Sequence, residues 1–197
     1  NGFHNDPELT GDTLFLLSSF QWTRRTVLSS IAGIYDPTGL ISAFTVKFKL
    51  FLREVCMEGE TPWDMPLQPR LQVKWEKLVV ELVTMDPIRI QRSFRPQMAS
   101  GPVELVGYSD GSLLAYCAAL YYRQEVLVPK LGLWIEEYDK VKTWEAHLVV
   151  AKTRVAPLAG ITSPRSEANG FRTLVKLGNL VLRSLGEKLS RILMILD

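Results

Sequence analysis

Apolar residues after Thr26 recur at helical spacing, at Val27, Leu28, Ile31, Ile34 and Tyr35, so the pattern predicts a helix there. Asp36-Pro37-Thr38-Gly39 then stops it, because proline and glycine do not continue a helix. Ser42 offers an N-cap hydroxyl for a second helix with Phe44, Phe48, Phe51, Leu52 and Val55 on one face. The alternation Phe44, Val46, Phe48, Leu50 would also suit a strand, but helix is the preferred reading. Glu58 to Pro69 holds three prolines and reads as an extended connector. A third helix follows, with Leu71, Trp75, Leu78, Val79 and Leu82 as its apolar stripe and Lys74, Glu76, Lys77 and Glu81 on its polar side, ending before Asp86-Pro87. Residues 1–22 are turn-rich and read as loop with at most one strand.

Beyond Pro102 the pattern shifts from helical to extended. Val103 to Ser109, Ala115 to Tyr122 and Trp144 to Ala151 are rich in β-branched, aromatic and small apolar residues, and Asp110-Gly111-Ser112 is a turn signal between the first two strands. Residues 165–186 return to helical period, and 190–197 form a short apolar run suited to a buried strand. The expected fold is mixed α/β: a mostly helical region over residues 1–100, then a region over 101–197 in the order β-β-β-α-β.

Composition changes this picture little. With 47% hydrophobic and 22% charged residues, the 197-residue chain can bury a core, and disorder over most of its length is excluded. Its apolar runs are far shorter than the roughly 18 residues of a membrane span, so no membrane partner is expected. No signal-peptide order opens the chain, and Cys56 and Cys117 are too few and too far apart for a disulfide framework or a zinc module, which favours a reducing, intracellular compartment. Net charge is +2, with 11 basic and 11 acidic residues in the first hundred, so global charge does not mark a nucleic-acid binder. The clusters Arg24-Arg25, Lys47/Lys49/Arg53 and Arg89/Arg92/Arg95 read first as solvated faces.

Candidate chemistry rests on three acids. In the last helix Glu167, Phe171, Leu174, Gly178, Val181 and Leu185 step by four and three, which places Glu167 at the top of a core-facing stripe. A carboxylate turned inward there is costly unless a metal, a cation or hydrogen-bond donors meet it; otherwise it swings out to water, favoured by the helix dipole. Asp110 ends the first strand and Asp197 the last, so parallel pairing of those strands would put both at one sheet edge. Three converging carboxylates suit Mg²⁺, which prefers oxygen ligands, and two such ions can stabilise both the attacking water and the leaving oxygen in phosphodiester hydrolysis.

Val106-Gly107-Tyr108-Ser109-Asp110-Gly111-Ser112, followed by Ala115 to Arg123, resembles the first hairpin of a retroelement ribonuclease H. Ala151-Lys152-Thr153-Arg154-Val155-Ala156-Pro157-Leu158 and Ser163-Pro164-Arg165-Ser166-Glu167 resemble the BEL/Pao class of long-terminal-repeat retrotransposons in particular. Thr23 to Ser29, Ile34 to Ile41 and Trp63-Asp64 are similar to the segment that links polymerase to ribonuclease H in those polyproteins. The resemblance runs from about Thr23 to the end. It implies a ribonuclease H-like fold with Asp110, Glu167 and Asp197 as catalytic, metal-holding acids, Mg²⁺ or Mn²⁺ as cofactor, and cleavage of the RNA strand of an RNA/DNA hybrid to a 3′-hydroxyl and a 5′-phosphate. Ser112 and Arg89, Arg92 and Arg95 are candidate nucleic-acid contacts, and an upstream polymerase domain of the same polyprotein is the implied partner. The family's domain also carries further helices, a fifth strand and a fourth acid beyond Asp197, so the expectation is a helical connection region plus an incomplete ribonuclease H domain. Asn169-Gly170 departs from a strong helix, and Cys117 stands where a glycine is often seen.

Other chemistries find less support. An aspartic peptidase needs Asp-Thr/Ser-Gly, whereas Asp110-Gly111-Ser112 has another order and Asp36-Pro37-Thr38-Gly39 an inserted proline. His4 and His147 stand alone, and no phosphate-binding GxxxxGK[ST] loop occurs. The rival to the enzyme is a non-catalytic remnant that binds nucleic acid or packs against a neighbour.

Overall fold

The structure is a computed structural model that describes residues 20–59, 62–87, 89, 93–96, 99–129, 140–186 and 191–196. The predicted loop or strand in residues 1–19 lies outside the described residues. The chain divides into two units, Asn1–Tyr35 with Lys47–Arg89, and Asp36–Val46 with Ile90–Asp197.

In the first unit, α1 (Arg24–Ala32) starts from a capping box in which Thr23 and Thr26 bond each other's backbone amides. The helix begins two residues before the apolar period suggested, and Tyr35 lies beyond its end, fully in solvent. Helix α2 (Ser42–Met57) and helix α3 (Pro69–Val83) supply most of the core. Phe48, Phe51, Val55, Leu71 and Trp75 are all buried to 2% exposure or less. Phe51 stacks on Trp75 with centroids 5.4 Å apart, while Phe48 and Trp22 meet it edge-on at 5.6 and 5.5 Å. This is the arrangement that aromatic quadrupoles favour. Several charges of this unit are paired: Arg24 donates to the Gly59 carbonyl at 2.7 Å, Arg25 forks onto Asp64, Lys47 pairs with Glu81, and Arg70 and Lys74 pair with Glu54.

The second unit is a mixed sheet in spatial order β3-β2-β1-β4, formed by β1 (Ala99–Gly111), β2 (Ala115–Pro129), β3 (Lys140–Val155) and β4 (Arg191–Leu196). Strands β1, β2 and β3 pair antiparallel, and β4 runs parallel to β1 from Glu104 opposite Arg191 to Ser109 opposite Leu196. Helix α4 (Ser163–Leu185) makes the crossover a parallel pair requires and lies on β1 and β2 over Leu105, Leu120, Tyr122, Leu174 and Val181. On the other face, Arg123 bonds the buried Glu104 at 2.8 Å and sits 4.6 Å above the Trp144 ring.

Two local readings change. Ser42 is the first helical residue of α2 rather than its cap, since Thr45 N–H already bonds the Ile41 carbonyl at 2.9 Å. The stop at residues 36–39 also does more than end a helix. The Asp36 carboxylate accepts the Leu40 and Ile41 amides, and Thr38 carbonyl accepts the Ala151 amide at 2.8 Å on edge strand β3. Gly39 has φ +73°, and a Cβ there would land on the Ala151 carbonyl, so both backbone and space demand glycine.

Candidate functional site

Strand β1 alternates its side chains between two faces. Leu105, Gly107, Ser109 and Gly111 face α4, as shown by the near contact of a Cβ at Gly107 with Leu174 and of a Cβ at Gly111 with the Ser166–Glu167 peptide, 2.5 Å from the Glu167 amide nitrogen. The pleat turns Asp110 to the opposite face, where it is exposed, and its Oδ1 accepts the Gly111 amide at 2.6 Å.

The turn after it is not Asp110-Gly111-Ser112. Asp110 and Gly111 remain in the strand, paired with Cys117 and Tyr116, and the chain reverses at Ser112–Ala115. Ser112 closes that turn: its amide donates to the Ala115 carbonyl at 2.8 Å, and its hydroxyl takes the Leu114 and Ala115 amides. A side-chain oxygen that mimics a backbone turn lets the hairpin stay paired to Gly111.

Helix α4 starts beside this turn. Ser166 is fully buried, and its hydroxyl donates to the Ser112 carbonyl at 2.7 Å. Gly170 is buried too, and a Cβ there would come within 2.9 Å of the Asp110 carbonyl oxygen. The departure at Asn169-Gly170 is thus the close-contact point of an uninterrupted helix: the roughly 1 kcal/mol that glycine costs in a helix interior is offset by the approach it permits.

The buried face of α4 is Ser166, Gly170, Thr173, Leu174, Leu177, Gly178 and Val181. It is rotated from the expected stripe, because its upper end is marked by small residues where the reading looked for large ones. Glu167 therefore does not face the core. It is exposed, stands fifth in the helix, and accepts a hydrogen bond from the Ser163 hydroxyl at 3.2 Å. Ser166 and Gly170 were legible only as small residues four apart, a spacing that permits a helix to approach a strand closely.

The structure thus brings the peptide that carries Glu167 against the strand end that carries Asp110. Asp197 follows Leu196 directly in sequence and lies outside the described residues. Cys117, opposite Asp110 in the register, has its thiol pKa raised by burial, although the residue as a whole is exposed. A bond from the Asp110 backbone opposes that rise, and the Asp110 charge adds to it. Arg89 and Arg95 are exposed, and Arg95 counters the burial that raises the Tyr122 pKa. Arg92 lies outside the described residues. Among the described residues no three His, Cys, Asp or Glu side chains form a metal-holding group, and no helix is long and apolar enough to cross a membrane.

An antiparallel hairpin ending in an acid, a crossover helix docked on it and a parallel fourth strand beside the first define an α/β domain of the ribonuclease H-like class. Within that class the chain belongs to a specific family: residues 23–197 match the family model described as Pao retrotransposon-like RNaseH-like domain. No curated protein and no solved structure matches the chain.

Proposed function

We propose that the chain provides the ribonuclease H activity associated with a retrotransposon reverse transcriptase, hydrolysing the RNA strand of an RNA/DNA hybrid. The observation that carries this reading is the backbone approach of Gly111 to Ser166–Glu167, with Gly170 seated on the Asp110 carbonyl. It sets two exposed carboxylates on adjoining elements of a chain that belongs to a ribonuclease H-like family.

Carboxylate oxygens are the donors that hard cations prefer, so Asp110, Glu167 and Asp197 are suited to hold Mg²⁺ or Mn²⁺. Bound ions of this kind supply charge stabilisation and a more acidic water. Asp197 enters from its place in the sequence, one residue after Leu196. Glu167, whose Oε1 accepts the Ser163 hydroxyl, would also position the water that attacks phosphorus. The P–O3′ bond breaks, leaving a 3′-hydroxyl and a 5′-phosphate. The wide minor groove and 2′-hydroxyls of the hybrid are the features by which RNA is told from DNA. An upstream polymerase domain of the same polyprotein is the proposed partner.

The test is cleavage of end-labelled RNA in a hybrid, with Mg²⁺, by this chain and by any longer translation product that contains it. Loss of a group that merely orients a metal ligand costs about 10–100-fold, so Asp110→Asn should cost at least about 100-fold. Cleavage that is absent, or indifferent to this substitution, sinks the enzymatic reading and leaves a nucleic-acid-binding or packing module.

A further inference from the structure

An open groove of about 230 Å³ runs between α4 and the β2–β3 side of the sheet, on the helix-covered face and away from the Asp110 side chain. Its walls carry four cations. Lys152 and Arg154 are two apart on β3 and therefore share a face. Arg172 and Lys176 are four apart on α4 and therefore share a stripe. No acid is in the lining, and none of the four has an ion-pair partner among the described residues. All four are exposed. The contrast with the first unit is sharp, since there Arg25, Lys47, Arg70 and Lys74 each meet a carboxylate.

In a chain with net charge of only +2, four unneutralised cations facing one another across a groove repel until an anion enters. Low-dielectric walls concentrate that positive field. Asn169 and Tyr116 add neutral hydrogen-bonding groups to the same lining. The groove also begins beside the candidate site: Tyr116 pairs with Gly111 in the register, and Asn169 precedes the Gly170 that touches the Asp110 carbonyl. A strand leaving that site has a basic track ready to receive it.

We infer that Lys152, Arg154, Arg172 and Lys176 form a phosphate-backbone site for nucleic acid, separate from the acid-bearing strand end. The groove neutralises several successive phosphates, because its four cations line both walls. The inference rests on the proposed function only for the kind of nucleic acid, an RNA/DNA hybrid. The groove itself stands without it.

The test measures binding of a fluorescent hybrid, and of a DNA duplex of the same sequence, to the full chain in metal-free buffer over a range of salt. Each neutralised phosphate contributes about 0.9 to the slope of log K against log salt on B-DNA. Replacing all four residues by Gln should lower that slope by about 3.6, and each single replacement by about 0.9. The charge-keeping set Lys152→Arg, Arg154→Lys, Arg172→Lys, Lys176→Arg should retain the parental slope, which separates lost charge from lost folding. An unchanged slope in the Gln variant overturns the site, as does displacement of the hybrid by an acidic peptide as readily as by unlabelled hybrid. If the slope falls while the Mg²⁺ cleavage assay is negative, the groove stands and the enzymatic reading fails. If cleavage is normal and the slope does not move, the reverse holds.

Discussion

Around Trp75, helices pack through large rings and branched side chains, whereas at the head of α4 a helix meets a strand through Gly111, Ser166 and Gly170. The first kind of packing gains its stability from buried apolar area. The second depends on backbone meeting backbone, where a single methyl group has nowhere to go. The lesson concerns function as well. The helical unit packs through large side chains, while the sheet unit sets two of its close backbone contacts beside the candidate acids.

The largest way to test that contrast is to remove volume from the ring cluster. Trp75→Ala should cost about 3–5 kcal/mol, read as a lower midpoint in urea unfolding. Because the Trp75 indole nitrogen is buried without a hydrogen-bond partner among the described residues, part of the loss is returned, and a value toward the lower end is expected. A cost below about 1 kcal/mol would show that the rings do not carry this unit.

Adding volume is the matching test in the sheet unit. Gly111→Ala sets a methyl group against the Ser166–Glu167 peptide, and overpacking of this kind costs about 1–3 kcal/mol. Hybrid cleavage should fall by more than the unfolded fraction explains, since the backbone that carries Glu167 must move. Full stability with full activity would show that the close approach is not required.

The smallest effect belongs to a surface pair. The hydrogen bond from Arg25 holds the Asp64 carboxyl below the usual carboxylate range. A depressed acid stabilises the folded chain above its unfolded pKa, and that contribution is lost as pH falls through the lowered value. Asp64→Asn should therefore cost a little at neutral pH and nothing in acid, where Asp64 is already protonated, and the cost stays small because both groups are exposed. A large loss at pH 7 would mean that the exposed charges matter more than the rings.

Most elements could be read from the chain because their signals are local. The apolar period of Leu71, Trp75, Leu78 and Leu82 foretold α3, the β-branched runs foretold β1 to β3, and the family resemblance foretold a ribonuclease H-like α/β domain. Where the reading slipped, contacts far apart in sequence had overridden local pattern. Asp110-Gly111-Ser112 looks like a turn, yet pairing with Tyr116 and Cys117 extends the strand through Gly111. Glu167 fits an apolar stripe by number, yet Ser166 and Gly170 face the sheet because only small residues let the helix approach.

Residue spacing and side-chain type were enough to give most of the helices and strands, since each depends on neighbours within one or two turns of chain. Whether Gly39 seats against Ala151, whether Gly170 meets the Asp110 carbonyl, and whether Lys152 and Arg154 share a groove with Arg172 and Lys176 depended on the assembled fold. Those pairings join residues roughly 20 to more than 100 positions apart. No periodicity encodes them, because they arise only when strand register and helix docking are fixed together.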